Sequence, residues 1–116
     1  LFNQKQLNIL VIGNESCSKF DAVNIGNIGD KVYTIDINKK NSVYGFNPIN
    51  KKDGYHVIGS ALELDRYFEP NYFDIILLNG VFGWGINSIE DQRKTIEVIY
   101  KVSKKDSKLL IGWNVN

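Results

Sequence analysis

"LNILVIGNESC", residues 7–17, is a nearly continuous apolar run that stops at a glycine and turns polar. A strand buried on both faces of a parallel sheet has this character, because helices cover both sides and leave no polar face. The residues that follow suit a helix. Ser16 is available as N-cap, Cys17, Phe20 and Val23 recur at a helical interval, and Gly26 and Gly29 supply stops. Strand, glycine turn and helix in that order open an α/β unit.

The alternation continues along the chain. "KVYTIDI" (31–37) is β-branched and aromatic, with Val32, Thr34 and Asp36 on one side and Tyr33, Ile35 and Ile37 on the other, and it predicts a second strand with a carboxylate near its end. "YHVIGS" (55–60) predicts a short third strand, "ALELDRYF" (61–68) about two helical turns, and "YFDIILLNG" (72–80) a central fourth strand. Ser88 then caps a helix running to about Ser103. Asp91 stands where a capping box places its acid, and Ile89, Ile96, Ile99 and Tyr100 recur on one face. "SKLLIGWN" (107–114) supplies a fifth strand, while residues 38–55 show no clean periodicity. Strands alternating with helices imply right-handed crossovers. The predicted fold is α/β, doubly wound: a mainly parallel, Rossmann-like sheet of about five strands in the order 3-2-1-4-5, with helices on both faces.

Composition agrees with one folded unit. The 116 residues, 43% hydrophobic and 23% charged, suit a single globular domain. A formal charge of +1 demands no polyanionic partner, and the lysine pairs at 39/40, 51/52 and 104/105 read as solvated surface rather than a nucleic-acid footprint. Cys17 is the sole cysteine, which excludes an internal disulfide and a cysteine-based zinc site and leads to a cytoplasmic expectation. The sequence contains neither a long apolar membrane run nor, in "LFNQKQLNIL", the regions of a signal peptide. In an intracellular protein the sequon Asn14-Glu15-Ser16 is idle.

In open α/β sheets, ligands bind outside the carboxyl ends of the strands, where strand order reverses. That rule selects Gly13 to Cys17, Asp36 to Asn38, Gly59 to Leu62 and Asn79 to Gly85. Gly13 either lets a ligand approach the backbone, with Asn14 to Ser16 offering amides at a helix N-terminus, or simply serves a tight turn. Asp36 follows Gly13 at close to the spacing at which a carboxylate accepts ribose hydroxyls in nucleotide folds. Its place where an apolar strand turns acidic favours that role over a solvated strand end.

The ordered set "NILVIGNESC", "KVYTIDIN", "HVIGSALEL", "YFDIILLNGVFGWG" and "KLLIGWN" resembles the cofactor half of the class I S-adenosylmethionine-dependent methyltransferases. The resemblance implies S-adenosylmethionine as cofactor and methyl transfer to a small-molecule acceptor. It makes Gly13 the first glycine of the cofactor loop, Asp36 the ribose acid, and Ile37 a surface for adenine. Ser60 and Ala61 fall where the family often has an Asp-Ala pair at the adenine amine. Asn79 and Gly80 fall at the methionine portion. Asn14 belongs to the same first loop, and Glu15 is the carboxylate placed to meet the cofactor's ammonium from a shifted position. Residues 1–116 are thus expected to form one methyltransferase-like cofactor-binding domain, a fragment or truncated version of the full family fold.

This sequence departs from the family pattern in its first loop: Val11 stands where the family has an acid, and Glu15 and Cys17 where it has later glycines. These departures support an alternative, a non-catalytic domain of the same fold serving as a structural or partner-binding module. A nicotinamide-dependent oxidoreductase is a weaker third option, because the full Gly-x-Gly-x-x-Gly fingerprint is missing. Phe82 and Trp84, among the glycines of "NGVFGWG", either flank a planar ligand or cover the sheet edge. His56, the only histidine, reads as a partly buried structural residue rather than a general base. Glu63, Asp65 and Arg66 read as an exposed helix face.

Overall fold

The computed structural model describes residues 6–13, 30–40, 54–79 and 86–112. The strands are β1 (Asn8–Ile12), β2 (Lys31–Asp36), β3 (His56–Ile58), β4 (Phe73–Asn79) and β5 (Ser103–Gly112). A 3-10 turn at Ala61–Glu63 leads into α1 (Leu64–Tyr67), and α2 (Ile89–Val102) joins β4 to β5. All five strands form one parallel sheet in the order β3-β2-β1-β4-β5. The expected architecture is therefore present. The helix expected after β1 and the aperiodic stretch 41–53 lie outside the described residues.

Side chains in register across parallel strands share a face. Ile9 is in register with Val32 and Ile75, and these residues form one apolar cluster with Leu7 and Leu77. Leu10 and Ile12 point the other way with Tyr33, Ile35, Ile76 and Leu78, into a larger core closed by Leu64 and Phe68 and by Val98, Ile99 and Val102 of α2. Each such side chain taken fully out of water contributes about 1.5–3 kcal/mol. Burial on both faces explains why the strands look almost uniformly apolar.

Three expectations need correction. β2 ends at Asp36 rather than Ile37, which lies beyond the strand with 74% of its surface exposed, while Val32 through Ile35 are buried on both sides of the alternation. The inward face of α2 is Thr95, Val98, Ile99 and Val102; of the four residues expected there only Ile99 is buried, and Ile89 and Tyr100 are 75% and 83% exposed. Thr95 can be buried because its Oγ1 donates to the Asp91 carbonyl at 2.8 Å. Finally, β5 begins at Ser103 rather than Ser107, directly after the last residue of α2. No loop intervenes: the Ser103 amide bonds the Tyr100 carbonyl and its hydroxyl donates to the Ile99 carbonyl at 2.6 Å. The pairing with β4 then shifts register between Phe73 and Ile75, and β5 carries extra residues between Ser103 and Lys108.

The expected cap holds, as Ser88 Oγ accepts from the Asp91 amide at 3.0 Å. Two acids tie the amino ends of the strands. Asp30 accepts from the Leu7 amide at 2.9 Å, and Asp74 accepts from the Asn8 amide at 2.8 Å and the Lys104 ammonium at 3.1 Å. Gly54, just before β3, has φ +129°, and a Cβ built on it would stand 1.7 Å from the Val32 carbonyl oxygen, so only glycine fits. Glu63, Asp65 and Arg66 are exposed, as expected, and Glu63 pairs with Arg66 and Asp65 with Lys101. Among the described residues, no helix is long and apolar enough to cross a membrane.

Candidate functional site at the carboxyl ends of the strands

The chain leaves β1 for β2 and β3 on one side and returns to β4 on the other, so strand order reverses at the β1–β4 boundary. Ile12 is in register with Ile35 of β2 and Leu78 of β4. One residue further along, Gly13 lies between Asp36 and the main chain of Asn79. Gly13 bends the backbone there with φ +81°, and its amide donates to the Ile35 carbonyl at 2.9 Å. On the far side, the Gly59 amide donates to the Asp36 carbonyl at 3.0 Å, which brings the end of β3 to the same edge. Gly13, Asp36, Gly59, Ser60 and Asn79 thus converge by topology. Asn14, Glu15, Cys17, Gly80, Phe82 and Trp84 lie outside the described residues.

Asp36 is half-buried at this edge. Its Oδ1 accepts from the Asn38 amide at 2.7 Å, and Asn38 Oδ1 accepts in turn from the Lys40 amide at 3.0 Å. These successive turns carry the chain away from the strand end and leave Oδ2 without a donor among the described residues. Ile37, the next residue along the chain, is exposed, and Ile58, in register with Asp36 across β2 and β3, is 48% exposed. Ile58 was not among the expected site residues; its signal is its place as the last apolar residue before the Gly59-Ser60 turn.

Ser60 and Ala61 have structural work at this edge. Ser60 Oγ caps the 3-10 turn by accepting from the Leu62 amide at 3.1 Å, and Ala61 turns its methyl into the main core. A ligand would meet the remaining lone pair and proton of the Ser60 hydroxyl. Gly59 sits under the tip of Tyr67, whose ring atoms lie 2.6–2.7 Å from where a Cβ would stand.

His56 lies below this edge, on the face it shares with Thr34. Its Nδ1 is 2.8 Å from Thr34 Oγ1, and its Nε2 is buried without a hydrogen-bond partner among the described residues. Burial lowers the imidazole pKa, partly offset by the negative charge of Asp36. A neutral, packed histidine matches the structural role expected for it.

A half-buried carboxylate with one oxygen unpaired among the described residues, near the exposed residues Ile37 and Ile58 and a glycine bend, can accept hydroxyl groups while an apolar ring lies alongside. In a comparison with solved structures, the chain is similar to a SAM-dependent methyltransferase from Archaeoglobus fulgidus, with a TM-score of 0.64 and 17% identity. The match covers 90% of this chain and 43% of that one, so the chain spans less than half the length of its structural neighbour. The likeness establishes a Rossmann-like, methyltransferase-type fold. No protein-family model matches the chain, and no curated protein does.

Proposed function

We propose that this domain binds S-adenosylmethionine at the carboxyl edge of its sheet and supports methyl transfer to a small-molecule acceptor. The convergence of Gly13 and Asp36 beside the β1–β4 reversal carries this assignment, in a fold similar to that of a SAM-dependent methyltransferase. In this reading Asp36 Oδ2 accepts the ribose hydroxyls, and Ile37 and Ile58 lie against the adenine. The Ser60 hydroxyl and the Ala61 main chain face the adenine edge. Gly13 leaves space for the bend of the cofactor, Asn14 and Glu15 meet its methionine end, and Asn79 and Gly80 flank the reacting sulfonium. When bound, the sulfonium supplies an activated methyl group. What these residues add is position and exclusion of water. Positioning alone is worth roughly 7–11 kcal/mol when reacting atoms are held in near-attack geometry. A domain working in this way requires no acid or base of its own, and the cytoplasm is the compartment that the lone cysteine favours.

A specific observation favours a second reading, a non-catalytic module of the same fold. Val11, where the family has an acid, is 1% exposed and committed to the sheet interior. Calorimetric titration with S-adenosylmethionine and S-adenosylhomocysteine, with NAD as control, separates the two. Micromolar binding of the first two supports the enzyme reading. Absent or millimolar affinity for all three leaves the module.

A further inference from the structure

We propose that a groove between α1 and the amino ends of β3 and β4 binds a small organic cation of the alkylated-ammonium class. The groove has a volume of about 310 Å³ and is lined by Tyr55, Tyr67, Phe68, Glu69 and Tyr72. Tyr55 directly precedes β3 and Tyr72 directly precedes β4, so these walls stand at the end of the sheet opposite Asp36. Only Tyr67 reaches from this groove toward the other edge, where its tip lies over Gly59, and none of the groove's lining residues is assigned to the cofactor.

Its chemistry follows from how the rings are held. Phe68 lies 6.3 Å from Tyr55 and 6.5 Å from Tyr72 between ring centroids, with interplanar angles of 17° and 16°. All three meet Tyr33 edge-on, at 82°, 69° and 64°. A hydrogen bond between the Tyr33 and Tyr72 hydroxyls fixes the orientation of Tyr72. Three similarly oriented rings therefore stand on a rigid support, with Phe68 buried and Tyr55 half-exposed. Ring faces carry the negative part of the aromatic quadrupole and attract cations lying within about 6 Å of the centroid.

Glu69 adds a full negative charge at the same groove. Among the described residues its carboxylate has no cationic partner, because Arg66 is engaged by Glu63 and Lys101 by Asp65. Phenol rings and an unpaired carboxylate together favour a cation over a neutral apolar guest of the same shape. A quaternary ammonium fits best, since it is weakly hydrated and presents its charge over a broad apolar surface.

The test is an NMR titration of the full chain with tetramethylammonium chloride, using sodium chloride at matched ionic strength and neopentyl alcohol as the neutral counterpart of similar shape. Saturable shifts at the rings of Tyr55 and Tyr72 are expected, with the alcohol about tenfold weaker. Glu69→Gln and Tyr55→Leu, both at exposed positions, should each weaken the cation about three- to tenfold while the amide spectrum stays dispersed. Equal affinity for the alcohol, unchanged binding by both variants, or no saturable shift below about 50 mM would each overturn the proposal.

Discussion

Replacing Asp36 by asparagine isolates the proposed ribose contact from the structural duty of the same side chain. Oδ1 holds the turn after β2 by accepting from the Asn38 amide at 2.7 Å, and an asparagine carbonyl can keep that bond. The other oxygen becomes an amide NH2, which donates where an acceptor is required. One hydrogen bond to a charged group contributes about 1.5–3 kcal/mol, so binding of S-adenosylhomocysteine should weaken roughly 10- to 150-fold. Because Asp36 is only half-buried, unfolding stability should change by less than about 1 kcal/mol. Calorimetric titration paired with urea unfolding reads both quantities. Asp36→Ala should lose a comparable amount of binding and also release the Asn38 turn. Cofactor affinity within about twofold of the parent in Asp36→Asn would remove this carboxylate from the ribose role.

Gly54→Ala should destabilise the domain by about 3–5 kcal/mol, from its positive φ and the forced separation from the Val32 carbonyl, whereas Gly59→Ala should cost about 1 kcal/mol because the Tyr67 ring tip can swing aside; urea midpoints compare them. His56, with its pKa lowered on folding, binds fewer protons than the unfolded chain. Its contribution is therefore full above an unfolded pKa of about 6.5 and falls as pH drops toward the folded value, a slope that His56→Gln should flatten in pH-dependent unfolding. Asp74→Ala should cost about 1–3 kcal/mol in the same assay, since it strips acceptors from the Asn8 amide and Lys104.

Apolar runs made the strands legible. A parallel strand covered on both faces announces itself through residues such as Ile9 to Ile12 and Ile75 to Leu78, and Gly13 and Asp36 stood out as the points where those runs break. The inward face of α2 is harder to read, because isoleucine and tyrosine ordinarily mark a core face and here mostly do not. The core there instead takes Val98 and Val102, together with a threonine whose hydroxyl is satisfied within its own helix. The start of β5 was hidden for another reason. "SKKDS" has a polar pattern that resembles a loop, and within it only Ser103 is in register with β4, opposite Phe73, before regular pairing resumes at Lys108. At the site, Ser60 was recognisable by position, and its use as a cap was also signalled by Glu63 three residues later, the spacing of a capping box.

The junction of α2 and β5 fixes how this half of the molecule can vary. Adding one residue to the helix would advance its end by about 1.5 Å and rotate it by roughly 100°, aiming the first strand residues at the wrong layer. Only the irregular stretch between Ser103 and Lys108 has the spare length to absorb such an error. Insertions should therefore survive there and fail a few residues upstream, which makes that short polar segment the natural place to graft a tag or a binding loop.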